Sequence, residues 1–204
     1  MAISNDEELG RAVRSASDLI QDIHEYCKRT LREDSKVKFP RGLIGTANSY
    51  REKCPGYLTP AKTSSCAYGF MHLDVLWWLS SRTDLVGISK QMLIKSAIVT
   101  LGMLTEAVLW IPGLPQDDRL SDKNNYGVKP RLDETKGRGW ITDAQCTVLR
   151  QLWDHRNNVH IKFLENSELD LYKPEHINEP YAGLLALMKN AKEWDAAGRP
   201  ARGS

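Results

Sequence analysis

The chain has little of what marks the specialised protein classes. Its four cysteines, Cys27, Cys54, Cys66 and Cys146, are widely spaced and form no CxxC pair. That argues against a zinc site and a dense disulfide framework, and reads as reduced, mostly buried thiols. Charge of one sign is also scarce. A formal net charge of +2 does not mark a nucleic-acid binder by bulk, so any basic surface must be local. Nor is there a long uninterrupted apolar run. The most apolar segment, Ala97 to Leu114, is broken by Thr100, Thr105, Glu106 and Pro112, which argues against a bilayer span. The opening "MAISNDEELG" lacks the apolar stretch of a signal peptide. Strand-like alternation and internal repeats are missing too. These absences lead to the expectation of an all-α, soluble, cytoplasmic protein with no membrane partner.

What is present suits a packed core. Hydrophobic residues make up 41% of the 204 positions and include six tryptophans, enough for one domain with a smaller appended segment. Ser4 with Glu7 reads as a capping box, and Leu9, Val13, Ala16, Ile20, Ile23 and Cys27 form one apolar stripe on a helix running to about Leu31. Between Lys28 and Lys62 nine basic residues face only Glu33, Asp34 and Glu52, among turn-forming prolines and glycines. This stretch is either a phosphate-contacting surface or an ordinary solvated connection. A short helix is expected over Ala47 to Lys53, and longer ones over Ser65 to Arg82 and Ser89 to Trp110. Trp77 and Trp78 cannot point the same way, so the first of these long helices should lie between neighbours. His72 and Asp74 within it read as structural. The second is apolar nearly all round, the mark of a central helix. On it Lys95, Gly102 and Glu106 share one narrow line. A long loop follows over 111–130, then a short helix from Arg131 stopped at Gly137 and Gly139. Thr142 with Gln145 makes another capping box. After an irregular stretch beyond Asn166, Asn178 with Pro180 begins a final amphipathic helix. The expected organisation is an N-terminal helical extension with a basic loop over 1–85, either separate from or part of the same domain as a helical domain over 86–197, and a disordered tail over 198–204.

One helix raises a chemical question. In "LWDHRNNVHIKF", Leu152 to Phe163, ionisable side chains interrupt an apolar seam. With Leu149 at zero and about 100° per residue, Leu152, Trp153, Val159 and Phe163 fall on its side of the wheel. Arg156 and His160, one turn apart, fall in the middle of that arc, with Asn157 at its edge. Three readings account for them. Arg156 could pair with a buried acid such as Glu106 in a purely structural role. A metal site is poorly served, because His155 and His160 diverge on a helix and no carboxylate is suitably spaced. In the third reading the pair is catalytic: arginine stabilises a pentacoordinate phosphate and histidine moves protons near neutral pH. RNA cleavage needs little else, since the substrate's own 2′-hydroxyl is the nucleophile.

At these residues the sequence resembles a known family. "LRQLWDHRNNVHI", Leu149 to Ile161, looks like the motif helix of HEPN domains, and "GRGWITDAQCTVL" resembles the turn and cap that lead into it. The resemblance covers about residues 85–195. The family pattern usually puts four or more residues between arginine and histidine. Arg156 and His160 have three, while Arg150 and His155 have a literal four but point away from the seam and from each other. The resemblance therefore implies a helical bundle of HEPN type with Arg156, Asn157 and His160 as its site. It implies a metal-independent endoribonuclease with no cofactor, RNA as partner, and a composite cleft formed by a homodimer. His160 would act as general acid or base in 2′-hydroxyl attack, Arg156 would hold the scissile phosphate, and Asn157 would position one of them. Such proteins are often toxins or antiviral defence effectors, which adds a cognate antitoxin or sensor protein as a partner. The alternative is a non-catalytic HEPN-like module that binds nucleotides or a protein.

Overall fold

The computed structural model describes residues 2–38, 42–111, 127–159 and 172–198, and among them every regular element is helical. The chain divides into two compact units, 1–41 and 42–204, so the division falls well before the expected 85/86. The helix expected over Ser65 to Arg82 thus shares a unit with the helices that follow it. His160 and Phe163 lie outside the described residues, as do most of the 111–130 loop and the tail beyond Gly198.

The first unit is built on α1, Asp6–Cys27. Its cap lies one residue beyond the expected box. Asn5 accepts from the Glu8 amide at 2.9 Å, while the Glu8 carboxylate accepts from the Ser4 amide and hydroxyl at 2.9 and 2.8 Å. Asp6, Glu7 and Glu8 in the first turn suit the positive end of the helix dipole. The helix stops short of Leu31 because Lys28 turns left-handed, with φ 49°, and its amide bonds back to the His24 carbonyl. A 3₁₀ turn at Glu33–Ser35 follows, flanked by Arg32–Asp34 and Lys36–Glu33 ion pairs, each at 2.6 Å. No described residue of this unit is buried.

The second unit holds α2 (Ala47–Arg51), α3 (Pro60–Arg82), α4 (Gly87–Leu109), α5 (Val128–Gly137), α6 (Asp143–Asn158) and α7 (Glu175–Ala196). At two prolines the boundaries differ from expectation. Pro60 opens α3 five residues early: Thr59 caps by accepting from the Lys62 amide, and proline suits a first turn whose amides need no intrahelical partner. Pro180 does not begin α7 but sits buried inside it, removing one amide hydrogen bond from the helix.

As its all-round apolarity predicts, α4 is central and packs against α3, α5, α6 and α7. It is long and apolar enough to cross a membrane, yet 56% of its most apolar window is buried inside the unit. Ile98, Leu101, Leu104, Val108 and Leu109 are fully enclosed with Leu132, Leu149, Leu152, Leu184 and Leu187. Trp77 is exposed while Trp78 is half-buried, so the two do diverge on α3. Asp74 has the structural role expected of it. It accepts from the Tyr50 hydroxyl and, at 3.3 Å, from the Gly45 amide, tying the 45–50 segment to α3. Burial and that carboxylate push the Tyr50 phenol up to about 12, so it stays a donor. His72 is exposed, with its Nε2 3.3 Å from the Ser96 hydroxyl.

The last carbonyls of α4 have no intrahelical donors and must find others. Arg131 donates to the Leu109 carbonyl at 3.0 Å, and the Tyr57 hydroxyl donates to that of Val108. Tyr57→Phe removes one of these caps, so a loss of about 1 kcal/mol is expected. In thermal denaturation this should read as a melting point lower by about 2–4 °C. An unchanged melting point would show that Val108 needs no cap.

Candidate functional site

The capping box that starts α6 is present. The Gln145 amide donates to the Thr142 hydroxyl at 3.2 Å, and the Thr142 amide to the Gln145 side chain at 2.9 Å. Starting there, Cys146, Leu149 and Leu152 are buried in the core. The remaining side chains fan out to three neighbours. Arg150 reaches α5 and pairs with Asp133. His155 turns to α7 and stacks on His176, with ring centroids 4.1 Å apart. Arg156 turns to α4. The literal arginine–histidine match at Arg150 and His155 is therefore not brought to one point.

Arg156 lies across Gly102 of α4. A Cβ at that glycine would stand 2.8 Å from Arg156 Cγ and 3.2 Å from its Cβ, so the absence of a side chain makes the crossing possible. The guanidinium carbon is 4.7 Å from the centre of the Trp153 ring, and Nη1 donates to Asn157 Oδ1 at 3.1 Å. Arg156, Asn157, Trp153 and Glu106 are all half-buried. No ion pair joins Arg156 to Glu106 or to any other carboxylate among the described residues. The structural core pair is thus not what these helices form. Cation and ring attract through the ring's negative face, which orients the guanidinium without neutralising it. Such a group, with a carboxamide at its side, can accept a phosphate in its planar fork.

The Lys95–Gly102–Glu106 line was legible in the sequence, but its useful member is Gly102 rather than the acid. The ring of Trp153 under Arg156 follows from the i, i+3 spacing. The basic residues between Lys28 and Lys62 are divided between the two units. Of those in the second unit, Arg51 lies over Tyr68, Lys53 over Tyr50 and Lys62 over Trp110. Among the described residues no cluster of three or more histidines, cysteines or acids could hold a metal ion.

The His155–His176 stack has its own consequence. Burial, and secondarily the nearby His176, lower the His155 pKa, with Asp154 partly opposing. The folded protein then resists protonation of His155 more than the unfolded chain does. No stability is lost to this group above its unfolded pKa, near 6.5. The loss begins as pH falls through that value and is complete below the lowered folded pKa. Melting temperature should therefore drop between pH 7.5 and 5, and His155→Gln should flatten part of that drop. An identical pH slope in the variant would remove His155 as its source.

Comparison with protein-family models, with curated proteins and with solved structures returns no match.

Proposed function

We propose that this chain is a metal-independent endoribonuclease of HEPN type, with Arg156, Asn157 and His160 at its site. The observation that carries the reading is the half-buried Arg156 guanidinium, held on Gly102 and Trp153 with no carboxylate partner among the described residues. Keeping a charge partly desolvated is costly unless an anion is to be met there. A phosphodiester is such an anion, and its developing transition-state charge is what a fixed guanidinium stabilises.

In this reading a base, His160 or its counterpart in a second copy, removes the proton from the 2′-hydroxyl. The 2′-oxygen attacks phosphorus, the bond to the 5′-oxygen breaks, and the conjugate acid of the other histidine protonates the leaving oxygen. The products are a 2′,3′-cyclic phosphate and a 5′-hydroxyl. One motif per chain supplies one histidine, so a homodimer completes the site. A toxin or defence role, controlled by an antitoxin or sensor, is what the family resemblance adds.

The test is incubation of single-stranded RNA with the full-length protein in excess chelator, reading the fragments for a cyclic phosphate end. Cutting supports the proposal. Retention of RNA on the protein without cutting would assign it to the non-catalytic binding module instead.

A further inference from the structure

The apolar stripe of α1 has little cover within its own unit. Leu9, Val13, Ala16, Ile20, Ile23 and Cys27 follow at intervals of four, three, four, three and four residues. That alternation is a heptad, with Val13, Ile20 and Cys27 at a and Leu9, Ala16 and Ile23 at d. Leu9, Val13, Ile20 and Ile23 are 47, 55, 54 and 39% exposed. A helix in a folded protein draws most of its stability from packing an amphipathic face, and this face meets only the 32–37 segment, which lines a shallow groove with Ile23 and Cys27 at its C-terminal end.

The polar residues limit what can cover it. Gly10, Ser17 and His24 flank the seam on one side and Ala12, Leu19 and Tyr26 on the other. Of α1's six acids and two arginines only Asp6 stands on the seam, at its N-terminal end; the rest lie on the far face. That far face is too acidic to favour an anionic bilayer. With uncharged flanks, the seam meets no like-charge repulsion from an identical helix.

We propose that α1 pairs with α1 of a second copy of this chain in an antiparallel two-helix coiled coil. The direction follows from charge and from size. A parallel pair would set the acidic first turns side by side. An antiparallel pair sets Asp6, Glu7 and Glu8 beside Lys28 and Arg29 of the partner subunit. In that register Ile20 faces Ala16 of the partner subunit, Val13 faces Ile23 of the partner subunit, and Leu9 faces Cys27 of the partner subunit. The thin Ala16 layer is thereby filled by a larger side chain. This pairing is the contact that would hold together the homodimer named above, and it stands whether or not that dimer cuts RNA.

Light scattering on the full-length protein tests it. The wild type is expected at twice the monomer mass across the micromolar range, and Ile20→Glu at the monomer mass. The main thermal transition, that of the second unit with the buried core, should be retained in the variant, because Ile20 lies half exposed on a helix with no buried residue. Direction is read by disulfide capture with oxidised glutathione, for which Cys27 is the one cysteine that is not buried. Leu9→Cys should cross-link two chains, and adding Cys27→Ser should abolish the cross-link. A monomeric wild type, or an Ile20→Glu variant that remains dimeric, overturns the pairing. A Cys27–Cys27 cross-link in the wild type overturns its direction.

Discussion

Arg156→Ala is expected to slow RNA cleavage by about 10²–10³-fold, the usual effect of removing one fixed donor from a developing oxyanion. His160→Ala should cost about 10²–10⁴-fold, as loss of a general acid or base does. Both rates are to be measured in excess chelator beside the wild type. Arg156→Lys separates charge from geometry. Lysine keeps the positive charge but loses the planar fork and its stacking on Trp153, so it should restore little of the rate. Folding is the necessary control. Arg156 is half-buried and makes no ion pair among the described residues, so its removal should leave the thermal transition within a few degrees of wild type. Unfolding of both variants would instead return Arg156 and His160 to a structural role. Wild-type cleavage by both would discard the site.

That the arginine could be singled out at all reflects how helices record their surroundings. A 3.6-residue period places Leu149, Leu152 and Trp153 on one side, and Arg156 among them is conspicuous. The capping box at Thr142 and the all-round apolarity of α4 were legible for the same reason: each is a local property of the chain. Long-range contacts were not. Nothing near Gly102 announces that another helix's arginine crosses it, because a glycine's value at a crossing depends on the partner. Pro60 and Pro180 show a related limit. Proline is compatible with a helix start, but where the start falls depends on which flanking residues cap and pack. The stripe on α1 was clear in sequence, whereas how little covers it appears only once the unit is folded.

Gly102 offers the sharpest way to separate a positioned cation from a packed one. Gly102→Ala adds a methyl that would stand 2.8 Å from Arg156 Cγ. The clash is with the root of that side chain rather than its flexible end, so α6 must shift or Arg156 must leave the groove. Overpacking of this kind costs about 1–3 kcal/mol. Replacing glycine by alanine inside a helix returns up to about 1 kcal/mol, so the net fall in stability should be modest. Activity should suffer far more, since a displacement of about 1 Å at a positioned group costs on the order of 10²-fold in rate. Gly183→Ala is the matched control. Its new methyl would meet Leu149 Cγ at 3.3 Å, disturbing the α6–α7 contact rather than the side that holds Arg156. It should lower stability without lowering the cleavage rate of the folded protein. Equal rates from Gly102→Ala and the wild type, with both folded, would mean that the seat on α4 does not set the guanidinium's place in the reaction.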